Sequence, residues 1–140
     1  MNNTGNLDTL SLPSISGKRE ANILDKIIAE KRLEIIKSKS EKPISGLEKE
    51  TFFNRKCLSL KENLLNSKTG IIAEFKRKSP SKGWIHEHAD ALDIPQNYCA
   101  VGASGISILT DEPFFGGTAQ DLILARSRVH CPILRKEFIV

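Results

Sequence analysis

Cysteine is scarce in this sequence, and its three residues, Cys57, Cys99 and Cys131, lie far apart along the chain. No CxxC pair occurs, so we expect neither a disulfide framework nor a zinc site. The three cysteines are expected to be reduced thiols in a cytoplasmic protein. No apolar run approaches the ~20 residues that a membrane helix requires. Residues 1–17 also lack the apolar segment of a secretory signal. These absences argue against a secreted or membrane protein.

The composition is that of a single folded domain. Of its 140 residues, 39% are hydrophobic and 27% are charged, which is enough apolar material to form a core. Lysine and arginine total 21 against 17 acidic residues, for a net charge of +4. This small excess favours an anionic ligand but does not by itself indicate nucleic acid, which we do not expect as a partner.

Three short apolar runs, at residues 71–75, 106–109 and 132–136, are predicted strands. Helical periodicity between them predicts one helix over about 92–101 and another that Thr118 caps and that runs to about 129. Continuous apolar strands that alternate with helices are typical of parallel sheets. The order β-α-β-α-β therefore predicts an α/β fold.

Three regions are expected along the chain. Residues 1–20 are polar and rich in Asn, Ser and Gly, so they are predicted to form a mobile tail. Residues 21–66 form a helical extension, with one amphipathic helix that Asn22 caps and that ends before Pro43, and a second helix over 52–65. Residues 67–140 hold the three strands.

Polar residues cluster where the predicted strands end, which is where the chemistry of parallel α/β proteins lies. Glu74 and Lys76 end the first strand and, being two residues apart, point to the same face. Lys136 ends the third strand, and Ser79 and Phe115 lie on loops above the same rim. Two lysines suit an anionic, carbonyl-bearing substrate. One of them can act as a general acid if a neighbouring charge and desolvation lower its pKa.

Other interpretations of these residues stay open. The basic stretch at 76–82 can be a solvated loop or a weak nucleic-acid patch, and Glu74 can be a structural ion-pair partner of Lys76. His86, His88 and Asp90 have the spacing of metal ligands but lack a fourth ligand, so no metal site is predicted.

Three motifs resemble, in the same order, those of the indole-3-glycerol-phosphate synthase family. They lie at residues 71–83, at 107–112 together with the following Phe115 and Gly117, and at 132–139. The helical segment from Ile23 to Arg32 is similar to the extension that precedes the barrel in that family. The resemblance covers roughly residues 22–140.

The resemblance implies a (β/α)8 TIM barrel, of which this chain holds the helical extension and the β-α-β-α-β segment. It implies a carboxy-lyase of tryptophan biosynthesis that converts 1-(2-carboxyphenylamino)-1-deoxyribulose 5-phosphate to indole-3-glycerol phosphate, carbon dioxide and water. No metal or organic cofactor is implied. By the same match Lys136 is the general acid and Lys76 holds the anionic substrate. Glu74 is the carboxylate that positions the lysine and the amine or hydroxyl groups of the substrate. The match also assigns substrate contacts to Ser79, Phe115 and Phe138.

The chain departs from the family in length, because a barrel of this type needs ~250 residues and eight strands. We therefore expect an N-terminal fragment that is inactive alone and needs a complementary or fused barrel domain. Two alternatives stay open. The chain can belong to a bifunctional fusion with phosphoribosylanthranilate isomerase, or it can be a non-catalytic truncated piece.

Overall fold

The computed structural model describes residues 22–139, and the predicted tail at 1–20 lies outside the described residues. The elements in chain order are α1 (Ile23–Glu41), α2 (Ile44–Leu47), α3 (Leu60–Asn66), β1 (Ile72–Phe75), β2 (Lys78–Ser79), β3 (Gly83–Trp84), α4 (Asp93–Ala100), β4 (Gly105–Leu109), α5 (Glu112–Phe115), α6 (Ala119–Arg128) and β5 (Ile133–Lys136). Within residues 22–139 no helix is both long and apolar enough to cross a membrane.

Helix α1 begins and ends as the sequence predicts. The Asn22 side chain accepts a hydrogen bond from the Asp25 amide at 2.9 Å, and the Asp25 carboxylate accepts one from the Asn22 amide at 3.0 Å. This reciprocal pair satisfies two amides that the first helical turn leaves free. The helix ends at Glu41, two residues before Pro43, because proline disfavours the helical conformation in the residue before it.

The predicted helix over 52–65 is wrong in its first half. Helix α3 covers only Leu60–Asn66, and the Ser59 hydroxyl caps it by accepting from the Glu62 amide at 3.2 Å. Phe52 and Phe53 are 72% and 53% exposed. A helix gains most of its stability from packing an apolar face, and neither ring belongs to the buried core of the described residues.

The sheet is parallel, as predicted, with strand order β1-β4-β5. Ala73 pairs with Ile106 and Ile106 with Ile133, so the three strands lie in register. Ile106 and Ile108 are completely buried and form the core with Phe75, Ala125 and Val129. Side chains alternate between the two faces of a strand. The face opposite this core therefore carries Glu74, Ser107 and Leu134 in one row, with Leu109 and Lys136 in the next.

The segment after β1 is a small antiparallel hairpin, β2 and β3, where the sequence predicts an irregular loop. Gly83 permits the turn with a φ of 66°. The hairpin lies over the turn that follows α5, where Gly116 has a φ of 63° and a Cβ would lie 2.6 Å from Trp84 Cζ3. Glycine permits this close approach, which brings the hairpin against α5.

Candidate active site

Glu74 lies between Lys76 and Lys136, the two lysines predicted at the strand ends. Its Oε1 is 2.8 Å from Lys76 Nζ and its Oε2 is 2.7 Å from Lys136 Nζ. Lys136 belongs to β5, which is separated from β1 by β4, so this contact spans the whole sheet. The structure therefore brings the three predicted catalytic residues into one cluster at the carboxyl ends of the strands.

The electrostatics of this cluster favour an anion. Partial burial raises the pKa of Glu74, but the hydrogen bonds from Lys136 and Lys76 outweigh it and hold that pKa below its usual value. One carboxylate between two ammonium groups leaves one net positive charge at the cluster. The Lys136 side chain is 52% exposed, so its ammonium group is accessible to a ligand.

Two aromatic rings meet at the ends of the neighbouring strands. The ring centroids of Phe115 and Phe138 lie 5.8 Å apart, with the planes tilted by 42°, within the range of favourable aromatic contacts. Phe115 ends α5, which the sequence does not predict and which Asp111 caps by accepting from the amides of Phe114 and Phe115 at 2.8 and 3.2 Å. Phe138 follows Lys136 by two residues. The structure thus brings together the aromatic pair assigned by resemblance.

Ser79 lies on the hairpin, and the hydrogen bond of its hydroxyl is made within the hairpin and not with the charged cluster of Glu74, Lys76 and Lys136. Its hydroxyl accepts from the Lys82 amide at 3.2 Å, within its own turn. The neighbouring Lys78 ammonium donates to the carbonyl of Pro113 at 3.0 Å and lies 5.4 Å from the centre of the Trp84 ring. These contacts attach the hairpin to the segment that carries Phe115.

An ion pair that the sequence did not predict holds this rim in place. The Arg77 guanidinium binds both carboxylate oxygens of Asp121, at 2.6 and 2.8 Å, and donates to the carbonyl of Ala89 at 3.0 Å. Burial opposes ionisation of Asp121, but Arg77 and the amide of Thr118 lower its pKa below the usual value. Thr118 and Asp121 also form a capping box at α6. The three-residue spacing of Thr118 and Asp121 is a sequence pattern that could have identified Asp121 as part of a helix cap. No nearby sequence pattern identifies Arg77 as the partner of Asp121.

Most of this chain matches one known protein family. The family profile of indole-3-glycerol phosphate synthase matches residues 24–140. This chain belongs to the indole-3-glycerol phosphate synthase family. The resemblance drawn from the three motifs is thereby confirmed, and family members act in tryptophan biosynthesis as lyases.

Synthases of two bacteria are similar to this chain. An indole-3-glycerol phosphate synthase of Bacteroides thetaiotaomicron is 48% identical over 118 residues, which are 84% of this chain and 45% of that protein. One of Burkholderia multivorans is 39% identical over 123 residues, 86% of this chain and 47% of that protein. The chain therefore spans about half the length of the curated synthases that it matches.

A larger protein also matches. The multifunctional tryptophan biosynthesis protein of Schizosaccharomyces pombe is 37% identical over 139 residues, which are 93% of this chain and 18% of that protein. A segment similar to this chain therefore also occurs within a multifunctional protein.

Proposed function

We propose that residues 67–140 supply the first three strands of a (β/α)8 barrel, preceded by the helical extension at 21–66. The parallel order β1-β4-β5 supports this proposal. Ile72 and Leu134, on the two edge strands, are 40% and 43% exposed. Apolar side chains on sheet edges favour pairing with further strands, which a closed barrel provides.

The proposed reaction is the conversion of 1-(2-carboxyphenylamino)-1-deoxyribulose 5-phosphate to indole-3-glycerol phosphate, carbon dioxide and water, in the cytoplasm and without a cofactor. The observation that carries the proposal is Glu74 held between two lysines at the strand ends of a chain from this family. An anionic substrate that bears a carbonyl group fits this positive cluster.

Each residue of the cluster has a proposed role. The Lys136 ammonium donates its proton to the ribulose carbonyl oxygen as the aromatic carbon attacks the carbonyl carbon. The resulting iminium accepts the electron pair that carbon dioxide leaves behind, and loss of water completes the indole. Glu74 accepts a hydrogen bond from Lys136 and orients it. Lys76 holds the anionic substrate.

The remaining three residues are proposed to bind the substrate. Phe115 and Phe138 form an apolar contact pair suited to the anthranilate ring of the substrate, since aromatic rings favour tilted or offset neighbours. Ser79 carries a hydroxyl on the hairpin that lies over this segment and is proposed to contact the substrate directly.

Turnover can be tested by joining Val140 to the part of the Bacteroides thetaiotaomicron synthase that continues beyond its matched segment, which is 48% identical to this chain. We call this protein the joined synthase. Lys136→Met should lower its kcat by about 100- to 10,000-fold, the usual contribution of a general acid, and change KM little. Indole fluorescence measures the product. Lys37→Met is the matched control, because the Lys37 side chain is 76% exposed on α1.

Three results would contradict the proposal. A folded joined synthase without turnover would refute the function, and near-normal kcat in Lys136→Met would remove that residue from the general-acid role. The 140-residue chain alone is expected to produce no indole fluorescence. Turnover by this chain alone would show that the remaining strands are dispensable.

A multifunctional protein is the second candidate, favoured by the match to the Schizosaccharomyces pombe protein. In this case the chain would be the synthase part of a larger polypeptide, such as a fusion with phosphoribosylanthranilate isomerase. The intact mass of the native protein distinguishes the two. A mass of about 28 kDa corresponds to a single barrel of ~250 residues, and a much larger mass indicates a fusion.

A further inference from the structure

Helix α1 places a lysine against the rim of the candidate site. Lys31 is only 4% exposed, and three carboxylates surround its ammonium group. Lys31 Nζ lies 2.6 Å from Asp111 Oδ2, 2.7 Å from Glu34 Oε2 and 3.2 Å from Glu137 Oε1. Burial lowers the pKa of Lys31, but the three carboxylates outweigh it and raise the pKa well above its usual value. Lys31 is therefore charged at any physiological pH.

Asp111 connects this lysine to the segment that carries Phe115. One carboxylate oxygen, Oδ2, contacts Lys31 Nζ, while Oδ1 accepts from the amides of Phe114 and Phe115. The Asp111 side chain is completely buried. A buried carboxylate without its cation is strongly destabilised, so the position of the α5 cap depends on Lys31.

Glu137 makes the corresponding connection to Phe138. It lies between Lys136 and Phe138 in the chain, and its Oε1 both contacts Lys31 and accepts from the Phe138 amide at 2.9 Å. Its Oε2 accepts from the Thr110 hydroxyl at 3.3 Å. The Lys31 ammonium thus bridges the segments that follow β4 and β5, each of which carries one ring of the aromatic pair.

We propose that Lys31 is a positioning residue that fixes Phe115 and Phe138 relative to each other and so couples α1 to the substrate pocket. The inference rests on the proposed function, which assigns the substrate ring to these two side chains. Lys31 itself would not touch the substrate. It acts through Asp111 and Glu137.

A purely structural role makes a different prediction. If Lys31 only anchored α1, its loss would lower the free energy of unfolding but leave the kinetics of the folded protein unchanged. If it positions the rings, the folded variant should bind substrate less well. A misplacement of about 1 Å in a site can cost ~100-fold in rate, so the kinetics distinguish the two roles.

The first measurement uses the 140-residue chain and needs no turnover. Trp84 is the only tryptophan and lies against Gly116, the residue that follows Phe115. Lys31→Met should shift Trp84 emission to the red and increase its quenching by acrylamide, whereas Lys37→Met should change neither. Emission and quenching unchanged in a folded Lys31→Met chain would overturn the inference.

The second measurement uses the joined synthase. Lys31→Met should reduce kcat/KM by about 100-fold, mainly through KM, and Lys31→Arg should recover part of the loss because it keeps the charge. If Lys31→Met fails to fold, a double variant that also carries Asp111→Asn replaces it, because this second change removes the unpaired carboxylate. The double variant still lacks the bridge to Glu137, so the kcat/KM of the double variant should remain low. Parental kcat/KM in this double variant would overturn the inference. A parent without turnover would refute the proposed function, while Trp84 would still decide the role of Lys31.

Discussion

Replacing Arg77 by methionine should remove much of the stability of this chain. The side chains of Arg77 and Asp121 are 16% and 6% exposed, so Asp121 would be left as a buried carboxylate without its cation. Breaking such a pair costs about 3–5 kcal/mol. We take the lower end, since the Thr118 amide still donates to Asp121 at 2.9 Å. The lost hydrogen bond to the Ala89 carbonyl adds about 1 kcal/mol.

The expected total of about 4 kcal/mol is large compared with the ~5–15 kcal/mol that stabilises a typical domain. Urea unfolding followed by Trp84 fluorescence and by circular dichroism measures it. Arg32→Met is the matched control, because Arg32 is exposed on α1 and should change the free energy of unfolding by less than about 0.5 kcal/mol. Arg77→Met combined with Asp121→Asn should cost less than the sum of the two single changes.

The dependence on pH gives a second check. Because the pKa of Asp121 is lower in the folded chain than in the unfolded one, its ionisation stabilises the fold above about pH 4, the usual aspartate range. This stabilisation is lost as the pH falls through the folded value. Arg77→Met lacks most of it, so parent and variant should converge in acid. A difference below about 1 kcal/mol at pH 7, or one that stays constant down to pH 3, would refute the reasoning.

Two further predictions concern the rim. Lys76→Ala in the joined synthase should raise KM strongly, because it removes one of the two cations beside Glu74, and an unchanged KM in substrate titrations would contradict this role. Gly117→Ala should destabilise the chain by at least ~1–3 kcal/mol in urea unfolding, because its Cβ would lie 1.9 Å from the Leu109 carbonyl oxygen. Gly46→Ala is its control, since the nearest atoms to a Cβ there are at 3.9 Å, and equal effects of the two changes would contradict the steric argument.

The sequence predicted the features that local patterns determine. Apolar runs identified the three strands to within a residue or two at each end, and the caps at Asn22 and Thr118 marked the starts of two helices. The alternation of side chains along β1 placed Glu74 beside Lys76. The hairpin after β1 and the absence of helix around Phe52 were not predicted, because both depend on contacts with distant residues.

Long-range ion pairs could not be predicted for the same reason. Lys31 and Glu137 are separated by more than one hundred residues, and both occur in segments where charges usually face water. Asp111 has a local signal as a helix cap, but its contact with Lys31 exists only after α1 has packed against the sheet. Charge alone does not distinguish a solvated lysine from a buried one.

Exposure separates the charged groups of this rim into two kinds. Lys31 and Arg77 are largely buried, and each has carboxylate partners at hydrogen-bonding distance, so neither ammonium nor guanidinium is available to a ligand without breaking a costly pair. Lys136 shares its single carboxylate with Lys76 and is about half exposed. A ligand anion can therefore approach Lys136 without leaving a buried charge unpaired. This difference in exposure and pairing supports Lys136 as the proton donor. It also supports Lys31 as a residue that acts only through its neighbours.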